Sequence, residues 1–333
     1  MSLITNSSKE DDDQSWWDSL FDSPVPTPFP YNNTDYAKPL FAITLGGLSL
    51  VSFIANLMLF SYIMWQRLYH NFISSHFIAH LCVTNMIGLL ALVPMISYSM
   101  WTGHSFWLGN EMACRVQAFF TCSIWSVVHY MVLCIAGVHV LTFARIHYDQ
   151  LFGLPPLQLC ILSWLVAFAV SLPCITNGHI VIYDPVLRMC LWGKSDSSYK
   201  FLTYFIILGV VIPTVFTYYA YLRVLRILYH SPIVFQSIGL YKSRIIVYTF
   251  LLYPVAQIPF YTISIWGTHR FEADHLLPLI AVCLCFLPIF ISPVQYAISL
   301  VQVKEEDMAL TARAHKGTNA YQHVNSGETM RFV

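Results

Sequence analysis

Apolar residues in this chain come in long blocks, with the polar residues collected between them. Seven blocks, over residues 39–65, 73–101, 116–143, 157–174, 201–222, 245–266 and 276–303, contain no Asp, Glu, Lys or Arg. A helix needs about 20 residues to cross the hydrocarbon core, and each block is near or above that length. None shows the period-two alternation of a lumen-lined barrel, and backbone amides in lipid must bond within their own segment. The pattern therefore predicts an all-α membrane protein, a seven-transmembrane helix bundle over 39–303. A flexible leader at 1–38 precedes it and a tail at 304–333 follows.

Composition agrees: 57% of residues are hydrophobic, 10% are charged and the mean hydropathy is +0.60. Soluble domains carry about 25% charged residues. The 17 Lys and Arg balance the 17 Asp and Glu, so net charge does not point to nucleic acid. Membrane lipid is the surrounding partner that this composition requires.

An odd number of crossings puts the termini on opposite faces, and three signals orient them. Near the helices, Arg67, Arg145, Arg223, Arg226, Lys242, Arg244 and Lys304 share the carboxyl-terminal side, one more cation than on the opposite side. The leader carries sequons at Asn6 and Asn32, which glycosylation reaches only in the lumen. Of nine cysteines, Cys114 and Cys190 alone stand at connections, both on the proposed outer face, where an oxidising exterior would pair them. The expected topology is an extracellular amino terminus and a cytoplasmic carboxyl terminus. Acidic residues at 10–13 argue against a cleavable signal of the usual form, which leaves insertion to the first helix.

Several chemistries lack a motif. The 13 histidines show no zinc spacing, there is no phosphate-binding glycine loop, and no cofactor or metal is expected. An enzyme is not indicated. Spans without ionisable carboxylates or ammonium groups also argue against an ion-coupled transporter.

Read in order, the spans carry marks that belong together. Asn56 lies in the first, Trp164 in the fourth, Pro213 and Tyr221 in the fifth, Pro254 in the sixth, and Ser292-Pro293-Val294-Gln295-Tyr296 closes the seventh. Trp107 precedes Cys114 by seven residues. This joint spacing resembles the rhodopsin-like (class A) G-protein-coupled receptors over nearly the whole chain. The resemblance implies a plasma-membrane receptor, a Cys114–Cys190 disulfide and an extracellular ligand. It also implies a heterotrimeric G protein as inner partner and a short amphipathic eighth helix over 304–313.

Departures from the family pattern are informative. Asn85 stands where most members have Asp, and Ser292 precedes Pro293, so a sodium pocket would have no carboxylate. The family's Asp-Arg-Tyr triplet corresponds to Val138-His139-Val140, with Tyr221 and Tyr296 as the expected partners of His139 on the activation face. Phe286 occupies the place of the retinal-binding lysine, which excludes light sensing. His129 is expected to meet Tyr248 of the sixth span.

By family position the ligand pocket comprises Thr121, Trp125, Phe205, Gly209, Leu252, Gln257 and Phe286. Thr121, at the place of the amine receptors' Asp, offers no counter-ion to a buried amine. The runs 179–183 and 186–190, around Asp184-Pro185, read as a hairpin like that of peptide-binding members. The outer face carries 12 acids against 7 bases, which favours a basic peptide by steering, while the apolar pocket also suits a lipid. Peptide is preferred. A non-signalling scavenger, chaperone or heteromer partner is the alternative function, kept open by His139.

Overall fold

The computed structural model describes residues 37–71, 73–107, 110–144, 153–230, 241–266 and 276–301. Asn6, Asn32, the third inner loop and the expected eighth helix lie outside the described residues.

Helix α1 (Ala37–Trp65) is followed by a single turn, α2 (Leu68–Asn71), and by α3 (Ile73–Ala91). Pro94 then interrupts the ladder, because it has no N–H to offer and its ring crowds the preceding turn. The chain continues as α4 (Val93–Thr102), bridged by Ile96 N–H to the Leu92 carbonyl at 3.1 Å. Gly103, at φ 81°, ends α4 in the left-handed region that glycine enters without penalty.

Helix α5 (Glu111–Ala144) is the central strut: it packs against α3, α6 (Pro156–Ser171), the hairpin at residues 181–192 and the fifth span. Its most apolar window is 67% buried, against 28% for α1, whose Leu40, Ile43, Leu50, Val51 and Met58 face outward. Outward apolar side chains are expected where lipid is the solvent. After α6 a turn, α7 (Pro173–Thr176), leads into the hairpin of β1 (Val181–Asp184) and β2 (Met189–Trp192).

The fifth span has three parts: α8 (Asp196–Phe205), a π-helical segment (Ile206–Val211) and α9 (Ile212–His230). Pro213 explains the wide turn. Without an N–H at 213 the regular ladder cannot continue, and the Ile212 N–H bonds five residues back to the Ile207 carbonyl. The loosened Leu208 carbonyl accepts a bond from the Tyr130 hydroxyl of α5 at 2.7 Å. Helices α10 (Tyr241–Trp266, containing Pro254 and Pro259) and α11 (Leu276–Val301) complete the described chain.

Among the described residues six helical segments are long and apolar enough to cross a membrane, so this is a multi-pass helical membrane protein. Helices run further than the charge-free blocks. α5 begins at Glu111, which pairs with Arg115 at 3.5 Å, and α8 begins at Asp196, which pairs with Lys200 at 2.6 Å. Charged residues at span ends reach the aqueous boundary, so the helix continues through them.

Candidate functional site

Lipid tails are as apolar as leucine, so helices in a membrane are held by close packing and by polar contacts. Three such constellations lie along the bundle.

At one end of the bundle, Cys114 of α5 and Cys190 of β2 form the expected disulfide, with Cα atoms 5.4 Å apart. It draws β2 onto the bundle, where Met189, Cys190, Leu191 and Trp192 are all buried. Strand residues two apart share a face, so Cys190 fixes where Trp192 goes. The Trp192 ring lies 6.1 Å from both Phe205 of α8 and Phe260 of α10, and Phe260 lies 5.2 Å from Trp125 of α5. Trp125 in turn stands 6.2 Å from Phe286 of α11, edge to face. Such offset aromatic pairs contribute about 0.5–1.5 kcal/mol each beyond their burial.

The structure thus joins three of the side chains expected to line a ligand pocket, Trp125, Phe205 and Phe286, through Trp192 and Phe260. Trp125, Phe205 and Phe286 are each no more than 1% exposed. Thr121 donates to its own helix, at the Gln117 carbonyl, 2.8 Å away. Gly209 serves helix packing: a Cβ there would lie 2.6 Å from Ser126 Oγ of α5. Leu252 has its side chain outside the described residues. Phe260 and Trp192 were missed in the sequence, although the alternation Cys190-x-Trp192 in a strand was a usable signal.

In the middle of the bundle, His129 Nε2 of α5 meets Gln257 Oε1 of α10 at 2.9 Å, and Gln257 Nε2 donates to the Cys285 carbonyl of α11 at 3.4 Å. The partner of His129 is thus Gln257, where Tyr248 was expected; the side chain of Tyr248 lies outside the described residues. A cavity of ≈ 30 Å³ borders this pair, lined also by Thr214, Thr217, Pro254 and Ser292. That is room for about one water, whereas ligand pockets run to roughly 300–1,000 Å³.

Nearby, Asn85 Nδ2 of α3 donates to Asn56 Oδ1 of α1 at 3.1 Å and to Ser292 Oγ of α11 at 2.9 Å. Asn56 donates to the Ser52 carbonyl at 2.8 Å, and Ser52 Oγ to the Ile289 carbonyl at 3.1 Å. Three helices are pinned by neutral groups, all of them buried.

At the far end of α5, the His139 ring lies 6.1 Å from the Tyr221 ring of α9. Tyr221 and Tyr296 are both buried, as is Pro293 beside Ser292. His139 stands 25 residues beyond Cys114 on one continuous helix, about 37 Å at 1.5 Å per residue. The plugged hairpin end and the His139–Tyr221 end therefore face opposite sides of a bilayer.

No protein-family model matches this sequence, and no curated protein matches it.

Proposed function

We propose that this chain is a cell-surface receptor of the rhodopsin-like G-protein-coupled type, with seven crossings, its amino terminus outside and its carboxyl terminus in the cytoplasm. In this reading α10 supplies a crossing beyond the six that length and composition identify among the described residues, and residues 304–313 form the eighth helix. The observation that carries the reading is the two-ended α5, tied to an outer hairpin by Cys114 and facing Tyr221 with His139 about 37 Å away. A signal crossing a membrane needs an outer surface that senses and an inner surface that answers.

With Trp192 occupying the mouth, a ligand is met first by the hairpin, and the excess of acids over bases in the sequence assigned to the outer face suits a basic peptide better than a lipid. The inner partner is a heterotrimeric G protein, engaged without the family's arginine. An imidazole with an ordinary pKa of about 6.5 is mostly neutral at pH 7 and shorter than a guanidinium. That substitution favours a second reading, a non-signalling scavenger, chaperone or heteromer partner.

Replacing His139→Arg separates the two. Arginine restores an extended, permanent charge beside Tyr221, and Val138 supplies no acid to restrain it. Basal or stimulated signalling should rise at equal surface expression. No rise across several G-protein classes would favour the non-signalling reading.

A further inference from the structure

Two buried thiols take part in none of the three constellations. Cys122 lies on α5, and Cys174 lies on α7, the single turn Pro173–Thr176 that packs against α5. Both are free, and each is 1% exposed. Their side chains meet in a thiol–thiol hydrogen bond, whereas the Cys134 thiol bonds to the Ser163 hydroxyl. Pro173 sets the meeting up. It has no N–H to carry the α6 ladder onward, so α7 is a separate turn whose one buried residue, Cys174, reaches α5.

Position along the chain gives the pair its consequence. Cys174 precedes the hairpin and Cys190 stands in β2, so the two cysteines bracket residues 175–189. Cys190 is bonded to Cys114, and Cys122 lies eight residues further along the same helix, about 12 Å. The bracketed segment therefore has one end fastened to α5 and the other end beside a thiol of α5. Charge decides what form a second fastening takes. Two thiolates around a monovalent metal would keep a net negative charge, which burial penalises, while a disulfide is neutral.

We propose that Cys122 and Cys174 are a redox-active pair that closes to a second disulfide and fastens the start of the hairpin segment to α5. The oxidant is an external disulfide. One protein thiol, as its thiolate, attacks the external S–S bond and expels one sulfur, and the other protein thiol then displaces the second. Two protein S–H bonds and one external S–S bond give one protein S–S bond and two external S–H bonds, so the protein is oxidised and the reagent reduced. Burial slows the first attack, and contact makes the second intramolecular. The hold of the hairpin on α5 thereby follows the thiol–disulfide balance of its surroundings, whatever ligand or signal the chain serves.

The test uses the full chain in detergent micelles, treated with dithiodipyridine, a small apolar disulfide, until the partly exposed Cys134 and Cys283 are fully modified. Chymotryptic peptides prepared without reduction should then include one that joins Cys122 to Cys174. Cleavage after Phe119 or Phe120 and after Tyr183 separates this link from Cys114–Cys190. Closure should raise the unfolding midpoint by about 5 °C and slow hydrogen exchange over residues 175–180. Cys174→Ser should abolish both changes, and Cys160→Ser should keep them. Should a serine variant fail to fold, the peptide map of the parent decides alone. Recovery of Cys122 and Cys174 as free thiols, or as separate thiopyridine adducts, overturns the pair. So does a Cys122–Cys285 link as abundant as Cys122–Cys174, or a midpoint shift that persists in Cys174→Ser. A joined peptide without slower exchange over 175–180 would overturn the fastening as well.

Discussion

A carboxamide at position 85 donates twice, to Asn56 Oδ1 and to Ser292 Oγ, whereas an ionised carboxylate only accepts. The pocket among α1, α3 and α11 is thereby held by neutral hydrogen bonds, and a cation placed there would meet no formal charge. The unfolding midpoint of the purified protein should therefore be the same in sodium and potassium chloride at equal ionic strength. A rise specific to sodium would show a carboxylate-free cation site. The His129–Gln257 pair can be tested by a double-mutant cycle. Gln257→Leu strands the imidazole and should destabilise by about 1–3 kcal/mol, while adding His129→Leu should recover part of that loss. Strictly additive losses would mean the two side chains act separately. The sequence pointed to Asn85 and Ser292 through motif position, yet it assigned His129 to Tyr248. Tyr248 and Gln257 are nine residues apart, about 13 Å along a helix. Which of the two comes level with His129 depends on helix tilt and on the prolines at 254 and 259, which no local pattern records.

At the scale of elements, the hairpin shows what residue patterns capture and where they slip. The expected runs were 179–183 and 186–190, and the observed strands are Val181–Asp184 and Met189–Trp192. The turn at Asp184 is present, but Asp184 Oδ1 accepts from Val186 N–H at 2.8 Å and from Leu187 N–H at 3.0 Å, and Arg188 adopts φ 57°. The turn is thereby extended to residues 185–188, and β2 starts three residues later than expected. That shift places Trp192 in the strand, facing the aromatic cluster. The π segment was likewise invisible, since Pro213 announces a disturbed ladder without saying whether it kinks or widens. Trp192→Ala should remove the contacts to Phe205 and Phe260 and lower stability by about 3–5 kcal/mol, read by thermal unfolding in detergent. Trp192→Phe should retain most of it. An alanine variant that unfolds with the parent would show that the disulfide alone holds β2 in place.

For the whole molecule, span number decides which compartment each end of α5 meets. Long charge-free runs made the helical membrane class legible from the sequence alone, because the hydrocarbon core imposes a length and a polarity that any spanning helix must obey. Orientation was less legible, since the cations near the helices differ by only one between the two faces. The structure adds a constraint: Cys114 is bonded to Cys190, and the seven free cysteines all lie within helices. Disulfides persist where the environment oxidises, which supports the proposed topology, with the hairpin end outside and the His139 end inside. An even number of crossings would return the chain to the side from which it started, whereas in the proposed topology α10 is a seventh crossing and the termini lie on opposite sides. An epitope appended after Val333 should then be stained only in permeabilised cells, while glycosidase treatment of surface protein should remove mass that disappears in the Asn6→Gln, Asn32→Gln variant. Staining of the appended epitope on intact cells, with the sugars still present on the leader, would leave both termini outside and reduce the number of crossings to an even one.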